Sequence, residues 1–125
     1  MLSCSERLPR IRILYHPGVD AESRSIVQDT VEGTFNLIVT DESLGLDISF
    51  AYNPARNQYD AEAILGAVAQ MCRESLFLVI LPFDIYVPGL NFVFGVAATG
   101  RGAVVGLERL RYGESYKSRL QKTIK

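Results

Sequence analysis

With 125 residues, 48% of them apolar, the chain is long enough to form one domain around a hydrophobic core. Its formal net charge of -1 supplies no broad positive field, so sequence-independent phosphate binding is excluded and nucleic acid is not an expected partner. The longest apolar run, Leu76–Leu81, is far short of the roughly 20 residues that span a bilayer, and Glu6, Arg7 and Arg10 stand where a signal peptide is apolar; a cytoplasmic protein without membrane contact is expected.

In chain order, Arg10–Tyr15 alternates charged and apolar residues and runs into His16-Pro17-Gly18, which predicts a first strand and a turn. Asp20 is placed to cap a helix through Glu32 with a thin apolar stripe of Ile26, Val27 and Val31, and Gly33 falls where a left-handed C-cap is expected. Phe35–Thr40 is rich in β-branched and aromatic residues, Asp41–Gly45 reads as a polar turn, and Leu46–Tyr52 is either a further strand or an irregular loop. Pro54 biases Asn53 away from helix, so Asn53–Gln58 reads as a loop. Ala61, Ile64, Leu65, Val68 and Cys72 fall on one stripe of a second helix capped by Asp60 or nearby, in which Gly66 is expected to mark close packing on a strand.

Leu76–Leu81 is apolar without alternation, as in a strand buried on both faces at the centre of a largely parallel sheet. Phe83–Gly89 reads as a strand end and an ordered loop, and Leu90–Ala97 as an edge strand with a bulge or bend at Gly95. Thr99–Gly102 predicts a turn, Ala103–Leu107 a short strand, and Ser115 onward a helix with Tyr116, Leu120 and Ile124 on one face. No Gly, Asn or Pro closes that helix, which therefore reads as cut rather than finished. The order of elements predicts an α/β fold: a mixed, mostly parallel twisted sheet with an antiparallel edge strand and backing helices, spanning residues 1–125 as a single domain.

Few residues carry chemistry. His16 is the sole histidine, whereas a catalytic zinc takes three protein ligands drawn mainly from histidine, so no metal ligand and no catalytic residue is assigned within these residues. A lone histidine at a strand end is more often a capping residue than a catalyst. Cys4 and Cys72 are too few and too far apart for a disulfide framework or a zinc knuckle and read as tail and helix core. No serine stands in a G-x-S-x-G context, and Thr99–Gly102 lacks the spacing of a phosphate loop. That spacing also counts against a small nucleotide binder. Asp41, Glu42 and Asp47 read as a solvated turn rather than a cation site, and the basic residues Lys117, Arg119, Lys122 and Lys125 suit a helix C-terminus. Asp84, flanked by Phe83 and Ile85, needs hydrogen-bond partners, for which the amides of the following loop are expected.

Two stretches resemble a known family. Tyr52-Asn-Pro-Ala-Arg-Asn-Gln-Tyr-Asp-Ala-Glu-Ala-Ile-Leu65 is similar to the archaemetzincin segment Y-x-P-x-R-x-Q-Y-D-A-E-x-L-L, and Asp84-Ile-Tyr-Val-Pro-Gly-Leu-Asn-Phe-Val-Phe-Gly-Val-Ala97 to that family's D-L-Y-x-x-G-L-N-F-V-F-G-x-A. Ala103–Arg111 resembles the strand that follows in that family. The resemblance implies a metzincin N-terminal subdomain, descended from a zinc metallopeptidase, in which Asn91, Phe92, Val93, Phe94, Gly95, Val96 and Ala97 form the edge strand that pairs with an extended peptide or protein substrate. The family's H-E-x-x-H-x-x-G-x-x-H helix is absent from the sequence, so the zinc-binding part is expected to be missing, no cofactor is expected in this chain although zinc is in a full-length relative, and inactivity alone follows. A smaller departure is Val96, where the family pattern leads one to expect Glu or Gln. The alternative is a non-catalytic peptide-binding module using the same edge. A missing half would also leave apolar surface exposed, from which homo-oligomerisation is expected.

Overall fold

The structure, a computed structural model, describes residues 10–34, 38–72, 75–98, 101–111 and 116–124. Its frame is a sheet of five strands: β1 (Arg10–Tyr15), β2 (Ile38–Ser43), β5 (Leu76–Leu81), β7 (Gly95–Ala98) and β8 (Gly102–Gly106), in the order β2-β1-β5-β8-β7. The first four strands in that order run parallel, and β7 pairs antiparallel to β8 at the edge. A smaller sheet joins β3 (Tyr52–Asn53), β4 (Gln58–Asp60) and β6 (Ile85–Tyr86) in the order β3-β4-β6. The predicted α/β class, mostly parallel sheet and antiparallel edge strand are therefore present.

The unbroken apolar run of β5 follows from cover on both faces. Phe77, Val79 and Leu81 pack with Leu14, Val104 and the Ile64, Leu65 and Val68 stripe of helix α2 (Ala61–Met71). Leu78 and Ile80 point the other way, to Ile13, Tyr15 and the Val27 and Val31 stripe of helix α1 (Ala21–Thr34), with Leu120 of helix α3 (Tyr116–Ile124) in the same cluster. A period of two in the strand is thus matched by helices on opposite sides, and each fully buried Ile or Leu contributes about 1.5–3 kcal/mol.

Both predicted caps form. The Asp20 carboxylate accepts from Ser23 N at 3.0 Å at the start of α1, and Asp60 Oδ1 accepts from Glu62 N and Ala63 N at 3.0 and 3.2 Å at the start of α2. Cys72 is buried at the end of α2, within 3.2 Å of Arg12 Nη1.

Several expectations are corrected. Gly33 lies inside α1, which runs on to Thr34, and Gly66 is exposed, where a Cβ would meet nothing within 4 Å, so it marks no close packing. Asp41 and Glu42 are strand residues of β2 rather than a turn, because Glu42 accepts two bonds from Arg12 of β1 at 2.6 and 2.7 Å and a polar edge strand can face water. The bond to Arg12 holds the Glu42 carboxyl below its ordinary range. Asp47 is exposed outside the strands, as expected, and accepts from Ser49 N at 3.0 Å, while the short 3-10 helix Ser49–Ala51 replaces much of the strand or loop expected over Leu46–Tyr52. The loop after Asn53 ends one residue early, since Gln58 is already in β4 and buried. Residues 35–37 and 99–100, on which parts of the predicted second strand and hairpin turn fall, lie outside the described residues.

Gly106 has a packing role at the end of β8. A Cβ there would stand 2.7 Å from Phe83 O and 2.9 Å from Ile85 Cγ1, so only glycine lets the two sheets approach at this point.

Candidate functional site

The parallel strands β1, β5 and β8 end together, and the residues that follow them, His16, Pro82–Asp84 and Leu107–Arg109, form one rim of the molecule. Backbone bonds fix that rim: His16 N donates to Ile80 O at 3.0 Å and Leu107 N to Leu81 O at 2.9 Å. Crevices outside the carboxyl ends of parallel strands are where α/β folds place their ligands. Here the crevice measures about 560 Å³ and is lined by Tyr59, Pro82, Phe83, Asp84 and Arg109 together with Arg56, Asn57 and Glu108.

Two of its lining residues, Tyr59 and Phe83, belong to a longer aromatic row. The His16 ring stands edge-on to Phe83 with centroids 4.8 Å apart, Phe83 stacks on Tyr59 at 4.7 Å, and Tyr59 meets Tyr52 at 5.1 Å. His16 Nδ1 accepts the Gly18 N–H at 3.0 Å, and burial lowers its pKa from the ordinary 6.5, so the neutral ring is favoured. The histidine is a turn cap, as its sequence context suggested.

Asp84 departs from expectation. Its carboxylate accepts from side chains rather than loop amides: Gln58 Nε2 at 2.9 Å and Arg109 Nε at 3.0 Å to each oxygen. In the following loop the Leu90 amide is taken by a turn, bonding Val87 O at 3.1 Å with Gly89 at φ +94°.

The predicted edge strand is shorter than its apolar run. Only Gly95–Ala98 pairs with β8, so Gly95, Val96 and Ala97 are strand residues while Asn91, Phe92, Val93 and Phe94 are not. Asn91 and Leu90 present their carbonyls to Arg56 Nη2 at 3.0 and 2.7 Å, and Asn91 O also accepts from Gln58 Nε2 at 2.8 Å. Phe92 lies under the Arg109 guanidinium at 4.0 Å, and Val93 makes an antiparallel bridge to Ile85 of the smaller sheet. Polar side chains from elsewhere in the chain thus take the carbonyls that a longer ladder would have used. Gly95 is not a bulge but a paired residue, opposite Val105.

The outer side of β7 is open among the described residues. Phe94 O accepts from Gly106 N, and since pairing alternates along an antiparallel strand, Val96 and Ala98 turn their backbone groups toward β8 while Gly95 and Ala97 turn theirs away. Both of these residues are exposed.

Sequence reasoning passed over Arg56, Gln58 and Arg109. Arg56 and Gln58 were visible as the Arg and Gln of the Tyr52–Leu65 motif, and Asp84, an acid among aromatic neighbours, was the signal that cationic or amide partners had to exist. For a metal the residues do not fit: the single histidine is engaged as a turn cap, and among the described residues no group of three or more His, Cys, Asp or Glu is placed to hold an ion. No bond-breaking step is therefore assigned to these side chains. No described helix is long and apolar enough to cross a membrane.

No protein-family model matches the chain. It is similar to the archaemetzincin of Nanoarchaeum equitans, with 31% identity over 105 residues, which are 84% of this chain and 61% of that relative. The chain thus spans about three fifths of that relative's length. Among solved structures, the crystal structure of archaemetzincin from Methanopyrus kandleri superposes with a TM-score of 0.80 at 30% identity, covering 98% of this chain and 72% of that one. The archaemetzincin of Archaeoglobus fulgidus, complexed with malonate, gives 0.69 at 27% identity over 92% of this chain and 70% of its own.

Proposed function

This chain belongs to the archaemetzincin family of zinc metallopeptidases, and from that premise we propose that it holds the peptide side of such an enzyme: an extended peptide adds as a further strand along β7. The observation that carries this reading is the edge left open by β7 among the described residues, where the backbone groups of Gly95 and Ala97 face away from β8. A strand laid there would exchange main-chain hydrogen bonds with both residues, and its side chains would alternate between the two faces of the sheet. Cleavage is not part of this proposal. Among the described residues no group of three or more His, Cys, Asp or Glu is placed to hold an ion, so the proposal concerns peptide binding only.

The test is the Ala97→Pro variant, which removes one outward N–H without touching the bonds to β8. Binding of a labelled, end-capped peptide of alternating threonine and valine is followed by fluorescence anisotropy. The variant is expected to bind about tenfold more weakly, a loss of the size that one buried backbone hydrogen bond and its local fit support. Equal affinity in the two proteins would remove the edge strand from the binding site.

A further inference from the structure

We infer that Arg56 and Gln58 are positioning residues for this edge: with Asp84 and Arg109 they latch the Leu90–Phe92 segment and so fix where β7 begins. The inference deepens the peptide-binding reading and rests on it. Leu90–Phe92 has irregular backbone, and its carbonyls are held by side chains from a distant part of the chain, Arg56 on Leu90 O and Asn91 O, and Gln58 on Asn91 O. Gln58 is only 4% exposed, and its amide is used at both ends: Nε2 donates to Asn91 O and Asp84, while Oε1 accepts from Arg56 Nε at 2.8 Å. The Arg56 guanidinium also lies 4.1 Å over the Tyr86 ring, which restricts its orientation.

From the other side, Arg109 bonds Asp84 and covers Phe92, so the segment is gripped by its backbone on one flank and by an aromatic ring on the other. Val93, the next residue, is tied to Ile85, and two residues later the outward-facing backbone of Gly95 begins. The two family-like motifs are thereby joined in one polar knot.

Two variants test this on the 125-residue chain. Gln58→Met keeps the side chain's shape and removes its hydrogen bonds; Arg56→Lys, at an exposed position that leaves folding intact, keeps the charge but cannot reach Gln58 and two carbonyls at once. Amide hydrogen exchange and binding of the threonine–valine peptide are measured on each. Exchange over residues 90–98 is expected to rise about tenfold while β1 and β5 stay unchanged, peptide binding is expected to weaken about tenfold, and the double variant should bind no worse than the weaker single one. Unchanged exchange over 90–98 in both variants overturns the latch, as does faster exchange spread equally over β1 and β5. Faster local exchange with unaltered peptide affinity overturns the positioning role. Ala97→Pro is run alongside: if it binds peptide normally, the edge-strand reading fails, and the exchange data still decide the latch.

Discussion

Burial against Phe83 and the hydrogen bond from Gly18 give His16 a preferred charge state, and that preference has a measurable sign. The folded imidazole has a lowered pKa, so the unfolded chain binds the proton more readily than the folded one. The stability this supplies is fully present above the ordinary value of 6.5 and is lost as pH falls through the lowered folded value. Because His16 is the only histidine, a single imidazole resonance reports it in an NMR titration. A midpoint below 6.5, accompanied by a falling denaturation midpoint over the same pH range, is expected; a midpoint at or above 6.5 would show that the ring is solvated.

At the scale of elements, α2 is the clearest case of local sequence deciding local structure, since Asp60 accepts the first free amides and the Ile64, Leu65 and Val68 stripe faces the sheet. Asp60→Ala should cost about 1 kcal/mol in urea denaturation, the usual worth of an N-cap; no loss would mean that packing alone holds the helix start. Such elements were legible because periodicity and capping are local: Arg10–Tyr15 and Leu76–Leu81 appear with the bounds their patterns gave. The edge strand was legible only in part. Leu90–Ala97 reads as one β-rich run, but which backbone carbonyls are free to pair depends on Arg56 and Gln58, more than thirty residues away in sequence. The same holds for Asp41 and Glu42, whose strand conformation comes from pairing with Ile13 and Leu14 of β1, with Arg12 holding the Glu42 carboxylate across the sheet. The resemblance to archaemetzincins pointed to the right motifs, yet it did not say that they touch each other.

On the scale of the molecule, helices cover both faces of the central strands, while among the described residues the outer edge of β7 is unpaired and a set of apolar side chains is exposed. Phe50, Met71 and Leu90 are each more than half exposed, at 56%, 54% and 54%. Single exposed hydrophobics are ordinary, but an open strand edge favours association, and we propose that the chain self-associates. Sedimentation velocity should show a concentration-dependent rise in mass; a sharply monodisperse monomer at all concentrations would refute it. The central proposal is that β7 receives an extended peptide, and the most direct measurement is amide exchange of Gly95 and Ala97 with and without bound peptide. Slower exchange at these two amides, with Val96 and Ala98 little changed because they already face β8, is the expected result. Peptide binding that leaves the Gly95 and Ala97 amides exchanging as before would place the peptide elsewhere and contradict the proposal.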